Sequence, residues 1–242
     1  MINDKNKKTE IPKSPSEKVL IFDSGTLISL SMSGLLYVLE RLKNESGVRF
    51  VITDDVKKEV VDTPIKRKRF ELEALRVKSL ISQGILELPD KLGIDNKIVN
   101  RKGLEVMDMS NSFFTSHKKP VRMIQIGEAS CMALSKILFE KNIENIIALD
   151  ERTTRILIEK PENLRELLER KLHTKIEFRK NSFDYFRDFR VIRSTEILYV
   201  AWKKSLLNLK DGNLLLDAIL YAVKFKGCAI SYDEIEEIKQ IG

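Results

Sequence analysis

The stretch VLIFDSGTLISL, residues 19–30, runs four apolar residues into an aspartate and then into small polar groups. VLIF (19–22) reads as a short buried strand, and the leucines that follow recur at helical spacing, so a strand feeds a helix. Asp23 stands at the junction. Its carboxylate can cap the helix, taking hydrogen bonds from the unpaired N–H groups of the first turn. It can equally do chemistry, because open α/β sheets place their sites at the carboxyl ends of their strands. Other acids arriving at the same edge favour the second role, with Ser24 or Thr26 then left to cap the helix.

The alternation continues outward from this stretch. A single helix is expected over 26–42, then a β-branched and aromatic strand, VRFVIT (48–53), and a helix over DDVKKEVVD (54–62) that Asp54 or Asp55 can cap. Pro64 breaks it; the spacing predicts another helix over 66–83, stopped by Gly84, and a strand-like ILEL (85–88) before Pro89. Residues 90–120 are polar and irregular and read as an inserted loop or short-helix excursion. IGEASCMALSKILFEK (126–141) is a small-residue-rich helix, and NIIAL (145–149) is a strand ending on Asp150. Helical segments over 151–160 and 161–172, a last strand FRVI (189–192), amphipathic helices over 194–207 and 213–225 and a short closing ISYDEIEEI complete the chain.

Strands separated by helices imply an α/β fold, three layers deep (α/β/α) around a central parallel sheet, with a C-terminal helical extension. The expected organisation is a loose tail over 1–17, one domain over 18–193 carrying the 90–120 insertion, and C-terminal helices over 194–242 packed on it. No Gly-rich phosphate loop of either common spacing is present, which lowers nucleotide-cofactor readings.

Composition sets bounds on function. At 242 residues with 43% hydrophobic and 33% charged content, the chain can bury a full core, and no apolar run approaches the roughly 20 residues that cross a bilayer. Its first residues lack the apolar centre of a secretory signal, so a cytosolic protein is expected. Cys131 and Cys228 lie far apart among apolar residues and read as buried thiols. With only two histidines, His117 and His173, a typical zinc site or a Ser-His-Asp triad is disfavoured, so any metal would be held by oxygen. The net charge of +7 is compatible with a nucleic-acid partner. The densest basic run, Lys66 to Arg69, is either a solvated helix face or a phosphate contact.

Asp23 and Asp150 both end predicted strands of one parallel sheet, where adjacent strands lie about 4.8 Å apart. Two carboxylates there would repel, and a divalent cation resolves the conflict by taking both as ligands. Glu59, four residues after Asp55 on one helix face, and Glu128, at the start of its helix, can reach the same edge. Each alone reads as an ordinary first-turn acid favoured by the helix dipole, and Asp150 alone as a cap.

In order, FDSGTLISL, VITDDVKKEVV, IGEASCMAL and IIALDERTTRIL resemble the PIN-domain family of metal-dependent ribonucleases, in particular its prokaryotic branch with a Gly-Glu-Ala helix. The tail RSTEILYVAWKKSLLNLKDGNLLLDAILYAVKFKGCAIS is similar to the C-terminal helix pair of that branch, and the resemblance covers about 18–240, weakest over 90–120. It implies that Asp23, Glu59, Glu128 and Asp150 are the catalytic carboxylates and hold Mg²⁺ or Mn²⁺. Hard oxygen ligands suit Mg²⁺, and the implied activity is hydrolysis of single-stranded RNA by an activated water. Ser24 and Thr26 orient a ligand or cap the helix; Arg152 and Arg155 meet substrate phosphate or remain surface arginines. The resemblance further implies an RNA substrate, a homodimer, and an antitoxin partner if the chain is the toxin of a toxin–antitoxin pair rather than an RNA-processing enzyme. The sequence departs from many relatives in having Glu128 where an aspartate is common and Asp150–Glu151 where two aspartates are common. Two other classes share these features: a PIN-like module that binds RNA or protein without cutting, and a flavodoxin-like receiver, disfavoured because no lysine sits at a clear late strand end.

Overall fold

A computed structural model describes residues 17–178 and 183–241. The expected tail therefore lies, except for Glu17, outside the described residues. The chain runs through β1 (Lys18–Phe22), α1 (Ser24–Met32), α2 (Tyr37–Ser46), β2 (Arg49–Val51), α3 (Asp54–Lys57), a π-helical turn (Lys58–Asp62) and α4 (Glu71–Ser82). It continues through α5 (Asn96–Asn111), β3 (Phe114–Ser116), β4 (Lys119–Pro120), α6 (Ile126–Glu140), β5 (Glu144–Ala148), α7 (Arg152–Glu159) and α8 (Leu164–Leu172). Then follow β6 (Glu177–Phe178), β7 (Val191–Ile192), α9 (Ser194–Lys203), α10 (Gly212–Lys224) and α11 (Tyr232–Ile241).

The central sheet has the order β2-β1-β5-β7 and is parallel throughout. Successive side chains of a strand point to opposite faces. Ile21 and Phe22, Val51 and Ile52, and Ala148 and Leu149 are all buried, so both faces are covered, as all-parallel sheets require. This is the α/β architecture expected from the alternation. ILEL contributes a single parallel bridge, Glu87 to Val51, rather than a strand. The C-terminal extension is helical as expected: α9 and α10 lie against α1, and α11 against α10.

Three local expectations are corrected. The helix expected over 26–42 divides at Gly34, whose φ of +70° only glycine adopts readily. Gly34 N–H bonds the Ser31 carbonyl and Leu35 N–H bonds that of Leu30, a Schellman ending that satisfies the last carbonyls of α1. Gly84 closes α4 in the same way, as predicted, bonding Ile81 while Ile85 bonds Leu80. At its other end α4 starts at Glu71, because the basic run 66–69 forms an exposed turn rather than a helix face.

The third correction concerns 90–120, which is mostly ordered helix. Asp95 caps α5 through Lys97 N–H, and Val99, Gly103, Val106 and Ser110 form its buried stripe. Two of those four are a glycine and a serine, which is why the hydrophobic period was invisible. Gly103 is required by packing: a Cβ there would lie 3.1 Å from Ser130 Cα on α6. Beyond α5, β3 pairs antiparallel with β4 and β6 in a second small sheet. Phe114 and Phe178 back this sheet, and Phe178 stacks on Phe183 at 4.8 Å.

The turn joining β3 to β4 holds His117 and Lys118 at φ of 49° and 63°, so both central residues are left-handed, as a tight hairpin turn demands. Lys118 is exposed and would gain nothing from its Cβ there. Lys118→Gly is expected to raise stability by about 0.5–1 kcal/mol by relieving this conformation. A rise in the urea midpoint without a change in slope checks it; a lowered midpoint contradicts it.

Candidate active site

The carboxyl ends of β1 and β5 lie side by side, with Phe22 opposite Ala148 and Asp23 N–H bonding the Ala148 carbonyl. Asp23 and Asp150, which follow these strands, are both buried. Helix α6 is brought over this edge by its small residues: the Cys131 thiol donates to the Phe22 carbonyl at 3.7 Å. Ser130 Oγ donates to the Gly127 carbonyl at 2.7 Å and lies 2.6 Å from Thr53 Oγ1, the cap of α3. That buried pair joins the start of α6 to the end of β2, and so sets Glu128 against the Glu59 turn.

The two carboxylate oxygens of Asp23 differ in their surroundings. Its Oδ2 accepts from Gly25 N–H at 3.0 Å and caps α1, so neither Ser24 nor Thr26 is the cap. Its Oδ1 is buried with no partner. Burial pushes the Asp23 carboxyl up to about 7, opposed by the Gly25 N–H and reinforced by the charges of Glu59 and Asp150. Glu128 is pushed up to about 8, first by burial and then by the charge of Asp23, with Glu151 and Glu59 adding to it. Its Oε2 accepts from Gln125 N–H at 2.7 Å. Thr26 Oγ1 and Asp55 Oδ2 are also buried without partners.

Glu59 occupies the π-helical turn, a form that recurs at functional sites, rather than the regular helix expected over 54–62. Its carboxylate lies over Gly127: a Cβ on that glycine would fall 2.6 Å from Glu59 Oε2 and 3.0 Å from its Cδ. Gly127→Ala therefore moves Glu59 rather than the backbone. Stability is expected to change by less than about 1 kcal/mol, whereas any activity that uses Glu59 should fall on the order of 10²-fold. Paired melting and rate measurements check this, and a fully active variant would contradict the placement.

Asp150 accepts from Ser194 N–H and Ser194 Oγ, each at 2.8 Å, and its backbone carbonyl accepts from Ala229 N–H at 3.0 Å. The C-terminal extension thus fixes the second strand-end acid, and Glu151, not Asp150, caps α7 through Thr154 N–H. No sequence signal short of the tertiary fold marks Ser194 as Asp150's partner.

The arginines separate. Arg155 donates to the Ala229 carbonyl at 3.1 Å, a bond that ties α7 to the C-terminal segment, and to Glu159 at 3.2 Å. Arg152 is exposed and lines surface clefts with Ile156 and Asn163. Cys131 and Cys228 are free and buried, as expected, and burial raises both thiols, Cys228 to about 12.

Asp23 therefore stands within electrostatic reach of Glu59, Glu128 and Asp150 at the carboxyl ends of β1 and β5, and its own Oδ1 is buried without a partner among the described residues. Comparison with family models, curated proteins and solved structures returns no match. Nothing from those comparisons assigns the chain to a family.

Among the described residues, no three or more His, Cys, Asp or Glu side chains are grouped as a metal site. Asp23 Oδ2, Glu128 Oε2 and both Asp150 oxygens accept hydrogen bonds from backbone or serine donors. The donor chemistry nonetheless fits a hard cation. An unpaired buried carboxylate oxygen is costly, and burial first, then the charges of neighbouring acids, pushes Asp23 and Glu128 up; a cation's counter-charge would offset both. Among the described residues, no helix is long and apolar enough to cross a membrane.

Proposed function

We propose that this protein is a metal-dependent endoribonuclease of the PIN type, cleaving phosphodiester bonds of single-stranded RNA. The observation that carries the reading is the unpaired buried Oδ1 of Asp23 among Glu59, Glu128 and Asp150. The ordered motifs around these acids, which resemble that family, supply the reaction class. Asp23, Glu59, Glu128 and Asp150 would hold Mg²⁺ or Mn²⁺. Bound there, the ion would neutralise charge at phosphorus and supply an activated water. The chain's own contribution is placement. Gly25 N–H holds Asp23 by one oxygen and leaves the other inward; Ser194 holds Asp150 by both; Gln125 N–H orients Glu128; Gly127 leaves room for Glu59.

The test uses chelator-treated protein and a fluorescent single-stranded RNA. Cleavage is expected on adding Mg²⁺ or Mn²⁺ and not before; no cleavage with either ion overturns the reading. Whether the enzyme is a toxin with an antitoxin partner or an RNA-processing enzyme follows from that activity in cells: growth arrest on expression marks the toxin. A second reading, a PIN-like module that grips RNA without cutting, is favoured by the bonds that already occupy Glu128 and Asp150. RNA retention unchanged in the Asp23→Asn, Asp150→Asn double variant, without cleavage by the wild type, identifies it.

A further inference from the structure

Glu128 opens onto a cleft of about 1020 Å³ built largely by the segment between α5 and α6. Its floor on one side is Glu128 and Glu151, and its rim carries Lys119 from β4, Arg122 from the link to α6 and Lys171 from the last turn of α8. All three cations are exposed, and none forms an ion pair among the described residues. Asp108 of α5 is the remaining charged residue on the wall. Met107 and Pro120 add apolar surface between the charges. The rim is firmly mounted. Lys119 pairs with Ser116 across the tight hairpin turn, and His117 Nε2 lies 3.2 Å from Thr174 Oγ1 beside α8. Asn111 Oδ1 accepts from the N–H groups of Met123 and Ile124 at 2.7 and 3.0 Å, fixing the backbone next to Arg122.

Three exposed cations, unpaired among the described residues, lining the same cleft as Glu128 and Glu151 match a polyanion whose reacting phosphate must reach the acids while its neighbours stay neutralised. From this we infer that the cleft is the path of the RNA strand: Lys119, Arg122 and Lys171 contact phosphates flanking the scissile one, and Glu128 and Glu151 mark where the strand meets the acid cluster. The inference rests on the nuclease reading and names how that site holds its substrate. These three are substrate-positioning residues. They add affinity without altering chemistry at the acids.

Binding of a fluorescent single-stranded RNA is measured by anisotropy in chelator, where cleavage does not interfere, across a salt series. The triple charge reversal Lys119→Glu, Arg122→Glu, Lys171→Glu should weaken binding at least tenfold near 100 mM salt. Its slope of log affinity against log salt should flatten by about 2, since each phosphate contact on a single strand contributes roughly 0.7. As control, Arg187→Glu with Arg190→Glu reverses two exposed cations beside Glu144, at the opposite edge of the sheet, and should leave affinity and slope unchanged. Circular dichroism melts confirm that both variants are folded, and single Ala variants at 119, 122 and 171 replace the triple if it is not. An unchanged slope in the cleft variants, an equal loss in the control, or no RNA binding by the wild type overturns the inference. A wild type that binds with the full slope but never cuts with any metal overturns the nuclease reading instead and leaves the cleft standing. One that cuts, with the cleft variants binding as well as it does, does the reverse.

Discussion

Asp23→Asn is expected to abolish metal-dependent RNA cleavage while leaving the chain folded and more stable above pH 7. Asn caps helices as well as Asp does, and its side-chain oxygen can keep the bond from Gly25 N–H that Asp23 Oδ2 now accepts. What it removes is the charge of a buried carboxylate whose other oxygen has no partner. Losing a metal-holding carboxylate forfeits several kcal/mol of charge stabilisation, which corresponds to about 10³-fold in rate. Relief of burial and of repulsion from Glu59 and Asp150 acts in the opposite direction on the fold. Single-turnover cleavage and thermal melts of the two proteins at pH 8 read both effects. A variant that cleaves at the wild-type rate, or that melts well below it, contradicts the role given to this residue.

The same chemistry fixes a pH dependence. Asp23 and Glu128 hold their protons more tightly in the folded chain, at about 7 and about 8, than in the unfolded chain, where both are ordinary carboxyls. Such acids contribute most to stability where both states are protonated, and that contribution is lost as pH rises from the unfolded value through the folded one. For Asp23 the loss runs from about pH 4 to 7, and for Glu128 from about 4.5 to 8. Between these limits each acid removes at most about 1.4 kcal/mol per pH unit. Glu87, Glu196 and Glu234 have lowered values: Arg49 and Lys43 hold Glu87 down, Arg193 holds Glu196 down, and the Ser231 N–H and then Arg193 hold Glu234 at about 2. Their stabilisation is present above the unfolded value and fades only as pH falls through the folded one. The window from pH 5.5 to 8 therefore isolates the two site acids. In chelator, the melting temperature should fall across it, and Mn²⁺ should flatten the fall. A melting temperature that holds level or rises from pH 5.5 to 8 in chelator goes against the burial of these two charges.

Much of this was legible in the chain, and what was not has physical causes. The strand–helix order and the strand-end aspartates follow from long apolar runs with clear punctuation, and Gly84 was readable because it follows a complete helical pattern. Gly34 was hidden by leucines on both sides that keep a helical period across the break. The period of α5 was hidden because its buried face carries Gly103 and Ser110, small residues chosen by contact with α6 rather than by hydrophobicity. The four acids could be nominated from position, but the partners that orient them could not. Ser194 lies 44 residues from Asp150, and Asp55 and Thr26 gain their unpaired buried oxygens only from tertiary packing. For Arg155 the sequence left phosphate contact and a surface position open, because a helix start near an acid gives no hint of the Ala229 carbonyl that it bonds.

If these acids form a divalent-cation site, calorimetric titration of chelator-treated protein with Mn²⁺ at pH 7 should register it. Repeating the titration in buffers of different ionisation enthalpy counts the protons released. Saturable binding to the wild type is expected, with about one to two protons released because about half of Asp23 and most of Glu128 is protonated beforehand, and loss of that binding in Asp23→Asn. Absence of binding at millimolar Mn²⁺, or binding that survives Asp23→Asn without proton release, contradicts it.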